Sequence, residues 1–446
     1  MRETCVAQAS IFENYSKHGF GTQLRALSNR LYQHPEILPM VADDLIDASV
    51  AKVGRTGLTV ENIFRCMLLK QHLRLSYEQL AFHLSDSITY RTFARLSVTA
   101  MPSRFGLQST IRSIKPETLE KVHETLSISW LKAGILSLEK LRIDSAFVAI
   151  TFARPSESQL LNDGVRVLSR LLMKGKNITG VKIRFTDQRK VSMSLAFQIF
   201  NAKKARKEEL YPKLLQIVKI VLKQGERELD AVEVGAFDSD KKRQWVSQVE
   251  QYRDLTMKAI NQAERRVIQG KSVHSSEKVV SLLESHTDII VKGFRDVQYG
   301  HKISLSSERS GFITYLCIEK GNPADFSLFM PVLDFHQSKQ HRLPHSVVAD
   351  GGYARQENVE KGRGLGDKRV VFYKPVGLSL HAMGVKLKTF TRLRHFRAGV
   401  EGNISELKRA FGAKKANWKG LAGFKAYVWS SVLSYNLMRL ARLDSG

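Results

Sequence analysis

LRIDSAFVAI, residues 141–150, is the stretch on which the fold turns. Its residues are β-branched or apolar on both flanks, the composition of a strand, and a carboxylate, Asp144, stands in the middle. A charge inside a buried strand is costly unless it is paired or ligates a cation. Further strand signals follow at TDIIVKG (287–293), HKISLSS (301–307) and GFITYLCIEK (311–320), punctuated by Gly300 and Gly311. A helix is expected around Asp325–Leu333, then a short buried strand, SVVAD (346–350), which Gly351-Gly352 closes, then another at VVFYKP (370–375). The last 55 residues read as helical, with a break near Gly412–Gly423. Strands interleaved with helices in this order predict a mixed α/β arrangement.

On the C-terminal side of the first strand, from Pro155 to about Glu284, the pattern turns helical and strongly charged. Arg166, Arg170 and Lys174 recur four apart, and a long helix is expected over 241–268. This stretch reads as a helical insertion. On the N-terminal side, residues 58–97 read as three short helices: TVENIFRCMLLKQHL, a second opened by the capping box at Ser76 and Gln79, and ITYRTFARL with Arg91 and Arg95 four apart. Short connections and a basic third helix suit a helix-turn-helix-like unit that meets DNA through Arg91 and Arg95; three-helix packing without DNA contact is the alternative.

Composition points to the same kind of partner. The 446 residues exceed one ordinary domain, and 43% apolar and 25% charged residues describe a globular chain. Against 43 Asp and Glu stand 70 Lys and Arg, a net charge of +27, which favours a polyanion. From Lys361 to Arg442 there are eighteen Lys and Arg but only three acids, Asp367, Glu401 and Glu406. No apolar stretch approaches the ~20 residues of a spanning helix; LLQIVKIVLK (214–223) is interrupted by Lys219, and MRETCVAQAS has no signal-peptide core. Three scattered cysteines without C-x-x-C fit a reducing cytoplasm and argue against a zinc finger. A membrane partner is not expected.

The strongest local feature is RLRHFRAGVEGNISELKRAF (392–411). At helical spacing Arg394, Arg397, Glu401 and Lys408 fall within roughly 60° of each other, beside an apolar sector of Phe396, Val400, Ile404, Leu407 and Phe411. Glu406 faces away. A glutamate among cations can be no more than an intrahelical ion pair. Together with Asp144 and the strand-end Asp350, it can be part of a divalent-ion site, since Mg²⁺ takes one or two carboxylates and a pair of such ions serves phosphoryl transfer.

The spacing R-x3-E-x6-K at Arg397, Glu401 and Lys408 resembles the signature of DDE transposases of bacterial insertion sequences. VRVLSR (165–170), GHKISL (300–305), GNPADFSLFMPVL (321–333), VVADGGY (347–353) and FRAGVEGNISELKR (396–409) are similar to family blocks in family order, and the group of insertion sequences not classified yet is the most similar. The resemblance implies a ribonuclease-H-like catalytic domain over 136–446, with the helical insertion at about 155–284, behind a helical DNA-binding domain over 1–135. It implies a catalytic, metal-binding triad of Asp144, Asp350 and Glu401 loaded with two Mg²⁺ or Mn²⁺ ions, and DNA phosphate contacts from Arg397 and Lys408; Arg394 and Arg409 on the same helix are further DNA-binding candidates. The family's signature begins with Tyr where this chain has Arg394. The implied activity is metal-dependent cleavage at transposon ends and strand transfer into target DNA. Its substrate is double-stranded DNA, the acting form a homodimer on that DNA, and the setting the bacterial cytoplasm at the nucleoid. A ribonuclease-H-like nuclease that cuts without joining, and a transposase-derived DNA-binding regulator, are the alternatives.

Among other candidates, His341 and His345 read as surface-loop histidines, Asp163 as a turn or helix start, and Asp325 as a helix N-cap. Trp418 and Trp429 are read as core residues before stacking platforms.

Overall fold

The computed structural model describes residues 3–5, 15–46, 57–97, 101–151, 156–179, 183–233, 240–275, 277–291, 297–366, 369–373 and 378–443. Its contacts divide the chain into two units, Met1–Thr151 with Ile290–Gly446, and Phe152–Ile289. No described helix is long and apolar enough to cross a membrane.

The first unit is organised by a mixed sheet. The strands are β1 (Lys140–Ile150), β2 (Asp288–Ile290, where the chain passes from the second unit back into the first), β3 (Gln298–Ser307), β4 (Ile313–Ile318), β5 (Ser346–Asp350), β6 (Arg369–Tyr373) and β7 (Lys415–Ala416). Their order is β2-β3-β1-β5-β6, with β4 also on β3 and β7 also on β1. β3 runs antiparallel to β1 and β4, whereas β5 is parallel to both β1 and β6. The expected strands at 287–293 and 370–375 extend to Lys292, Gly293, Lys374 and Pro375, which lie outside the described residues. The two-residue β7 sits in the expected break of the C-terminal helices.

Alternation sorts the sheet's side chains onto two faces. Leu141, Ile143, Val347, Ala349, Val370 and Phe372 pack with Phe329, Val332 and Leu333 of the helix Phe329–Gln340. Val348 and Val371 point the other way, to Leu393 of the helix Leu387–Ala410. Even-numbered positions of β1 and β5 therefore face the helix that carries Glu401. The parallel register reaches Arg142 opposite Val348; two residues further along each strand come Asp144 and Asp350.

The N-terminal helices form a bundle in this same unit. Thr59 and Ser76 cap the helices Val60–His72 and Tyr77–Asp86, each with a capping box. Val60–His72 is buried from Val60 to Gln71 and packs against the helix Leu421–Leu443. Gln71 donates to the Tyr427 carbonyl at 3.1 Å and to Ser430 Oγ at 2.6 Å. The step from helices to strands near residue 135 thus falls inside one unit. Trp418 and Trp429 are both buried.

The second unit is helical: Glu157–Gly175, Arg189–Asn201, Lys204–Glu233 and Asp240–Ala263, the last continued by a π-turn, Glu264–Ile268. Its core includes Leu161, Leu168, Leu172, Val218, Trp245 and Val249. Trp245 Nε1 donates to the Leu171 carbonyl at 2.7 Å. Asp163 lies within the first of these helices, paired with Arg166 at 2.8 Å, and not at a turn or helix start: side-chain pairing one turn apart satisfies it in mid-helix.

Candidate active site

Asp144 is held in β1 opposite Leu305, with Ser145 N–H donating to its Oδ1 at 2.8 Å. Asp350 ends β5 opposite Tyr373 and is followed by the short 3-10 turn Gly351–Tyr353. Glu401 projects from the helix above them, which arrives at this depth because of a contact to the sheet. Arg142 Nε donates to Ser307 Oγ at 2.9 Å and its Nη1 to the Phe396 carbonyl at 3.2 Å. Gly399 is the residue facing that guanidinium, and a Cβ there would overlap it.

The three carboxylates converge on one side chain. Arg397 Nη1 donates to Glu401 Oε1 at 2.8 Å and Nη2 to Asp144 Oδ2 at 3.2 Å, while Asp350 Oδ1 lies 3.7 Å from Nη2. The guanidinium is 9% exposed, and the acids grade outward: Asp144 15%, Asp350 46%, Glu401 63%. Burial pushes the Asp144 carboxyl up to about 6; Arg397 and the Ser145 N–H hold it lower than burial alone would, and Asp350 and Asp325 push it up again. Three acids around one cation leave the cluster anionic.

As placed, no three His, Cys, Asp or Glu side chains among the described residues are grouped to hold a metal ion. The donor chemistry nonetheless fits a hard divalent cation: three carboxylates reach a common positive centre, and the deepest is destabilised as an anion by its burial.

The basic residues divide by position. Arg394 is exposed and stacks over Tyr373 of β6 at 4.9 Å, and Arg397 lies 5.6 Å from the same ring. Lys408 and Arg409 lie two turns beyond Glu401, half-buried and exposed respectively. Arg91 sits on the helix Ile88–Ala94, half-buried. Arg95 does not share its helical face: it is the C-cap, in the left-handed region at φ 56°, and its guanidinium pairs with Glu61 at 3.3 Å and covers the Tyr32 ring at 4.4 Å.

His341 and His345 are exposed in the loop before β5, with His341 at φ 50°. Asp325 is not an N-cap. It opens a 3-10 turn, Asp325–Leu328, and its Oδ1 accepts from Ser145 Oγ at 2.8 Å and meets Lys302 Nζ at 2.6 Å. Gly352, next but one to Asp350, has no Cβ and so admits this carboxylate. Asp325 is thus a fourth acid beside the site. The available signal was Lys302, a cation in the expected strand HKISLSS, which needs an acidic partner once that strand is buried.

Residues 298–437 match the family described as Transposase DDE domain, and residues 22–113 match that described as Transposase domain (DUF772). The first segment contains Asp350, Arg397, Glu401 and Lys408, and Asp144 precedes it. Neither a curated protein nor a solved structure matches the chain.

Proposed function

From the premise that this chain belongs to the DDE-type transposases of insertion-sequence families, we propose that it cuts the ends of a bacterial insertion sequence and joins them to target DNA. One observation carries the proposal: Asp144, Asp350 and Glu401, brought from two strands and a helix, meet at a single cation. The strand order supports a ribonuclease-H-like core, since an antiparallel β4-β3-β1 half continues into the parallel strands β5 and β6.

Asp144, Asp350 and Glu401 would hold the divalent ions, two Mg²⁺ or Mn²⁺, which when bound supply Lewis-acid stabilisation of the scissile phosphate and a nucleophile active at neutral pH. Asp144, deepest of the three, fixes the inner edge of the site. Glu401, the most exposed, faces incoming DNA. Arg397 balances the carboxylates in the ion-free protein, and once other cations balance them its guanidinium is available to a phosphate oxygen. Arg394, Lys408 and Arg409 extend that positive edge along the helix and position the DNA. Arg91, half-buried on its helix, is the candidate for a DNA contact in the N-terminal bundle; Arg95 would have to leave Glu61 to make one. The protein would act as a homodimer, one protomer per transposon end, on DNA in the bacterial cytoplasm.

The test is incubation of the protein and Mg²⁺ with labelled duplex carrying the terminal repeats that flank its reading frame, plus a target plasmid. Wild type should give both cleaved ends and joined product, and Asp144→Ala and Glu401→Gln neither. Cleavage without joining would assign a nuclease; equal activity of the variants would remove the triad.

A further inference from the structure

The helix Arg189–Asn201, in the unit Phe152–Ile289, buries one side and leaves another bare. Ser192, Ala196 and Ile199 are buried, Ala196 and Ile199 in the unit's core. Met193, Phe197 and Phe200 are 62%, 70% and 73% exposed. Spacings of four and three put them on one stripe. Phenyl rings this open mark a surface with a partner.

Charge identifies its chemistry. Between Gln188 and Lys207 stand Arg189, Lys190, Lys203, Lys204, Arg206 and Lys207, and no acid. Arg189 is taken by Asp187 and Arg206 by Glu209. Lys190, Lys203 and Lys204 are exposed, and Lys190 lies at the edge of the aromatic stripe. A second copy docking here would set like charges against each other. Unstacked nucleobases suit the surface on both counts, since their faces stack on phenyl rings and their phosphates meet lysines.

We propose that Met193, Phe197 and Phe200 form a stacking surface for unpaired DNA bases, with Lys190, Lys203 and Lys204 taking the adjoining phosphates. The proposal rests on the reading of the chain as a DNA-processing enzyme, and not on its carboxylates.

Fluorescence anisotropy of the full-length protein in EDTA tests it, with a labelled oligothymidylate and a labelled duplex of the same length as probes. Phe197→Ala/Phe200→Ala should weaken single-strand binding about tenfold or more, from the loss of base–aromatic stacking, and leave duplex binding unchanged. Phe197→Trp/Phe200→Trp should keep or tighten it. Single-strand affinity unaltered in the alanine variant, or weakened equally in the tryptophan variant, would overturn the proposal. So would a parallel loss of duplex binding, or conversion of a wild-type dimer to monomer in sedimentation, which would assign the stripe to a second copy. Because EDTA removes divalent ions, failure here leaves the carboxylate reading standing, and failure of the strand-transfer assay leaves this one.

Discussion

Two clusters in the unit built from Met1–Thr151 and Ile290–Gly446 bury arginine against acid, with opposite balance. In the N-terminal bundle Glu61 accepts from Arg65 at 2.9 Å and lies 3.3 Å from Arg95, so two cations share one acid. Arg65 also donates to Ser28 Oγ and the Phe93 carbonyl, and both guanidiniums lie over Tyr32. In the other cluster one guanidinium, Arg397, serves Asp144, Asp350 and Glu401. Glu61 and Arg65 are 9% and 2% exposed, whereas Glu401 is 63% exposed. A closed cluster with donors, acceptors and rings provided is a joint between helices. An open cluster with surplus negative charge suits cations and the phosphates they accompany, which is the role we propose for it.

The sharpest way to break the comparison is to change one acid in each cluster. Glu401→Gln should lower strand cleavage by on the order of a thousandfold, the loss expected when several kcal/mol of ion-mediated charge stabilisation disappears, with the thermal melt unmoved. Glu61→Gln should do the reverse. It leaves two buried guanidiniums facing each other and should cost about 3–5 kcal/mol in a urea titration, with cleavage per folded molecule preserved. If Glu61→Gln abolished cleavage in fully folded protein, the division between joint and receptor would be wrong.

The pH dependence sharpens the same point. Asp144 titrates at about 6 in the folded protein, above its ordinary 3.8, so the folded state holds its proton more tightly than the unfolded chain does. The stability this confers is complete below about pH 4 and is lost as pH rises through about 6. In EDTA, Asp144→Asn should therefore gain roughly 1–3 kcal/mol over wild type between pH 4 and pH 8, read from denaturation midpoints. A difference that stays flat with pH would mean that Asp144 ionises without cost and is not poised for a cation.

The smallest effect belongs to the other acid on the carboxylate helix. Glu406 pairs with Arg439 at 3.2 Å and Arg442 at 2.7 Å, near the surface. Glu406→Ala should change stability by about 1 kcal/mol or less and leave cleavage intact, which sets it apart from Glu401 five residues earlier.

Local pattern made the neighbourhood of the three acids legible for a physical reason. A carboxylate in an apolar strand and one at a strand end before Gly-Gly are anomalies of composition, and such anomalies show in sequence. Strand alternation then puts Asp144 and Asp350 on the face toward Glu401 without long-range information. Arg397's place was only half legible: helical spacing set it beside Glu401, but its burial against two strands depends on where the helix lands, through Arg142 and Gly399. Arg95 was misplaced because a spacing of four assumes an unbroken helix, and the chain turns left-handed at that residue. Asp325 looked like a cap because Asn322-Pro323 precedes it, whereas its carboxylate answers to Lys302, distant in sequence. The packing of Val60–His72 on Leu421–Leu443 joins the two ends of the chain, which no local periodicity encodes.

Calorimetric titration with Mn²⁺ is the most direct measurement, on wild type and on Asp144→Asn/Glu401→Gln, each shown folded by circular dichroism. Saturable binding to wild type that is absent from the double variant is the predicted result. Equal binding to both, or none to either with and without transposon-end DNA, would contradict the claim that these carboxylates exchange a guanidinium for divalent ions.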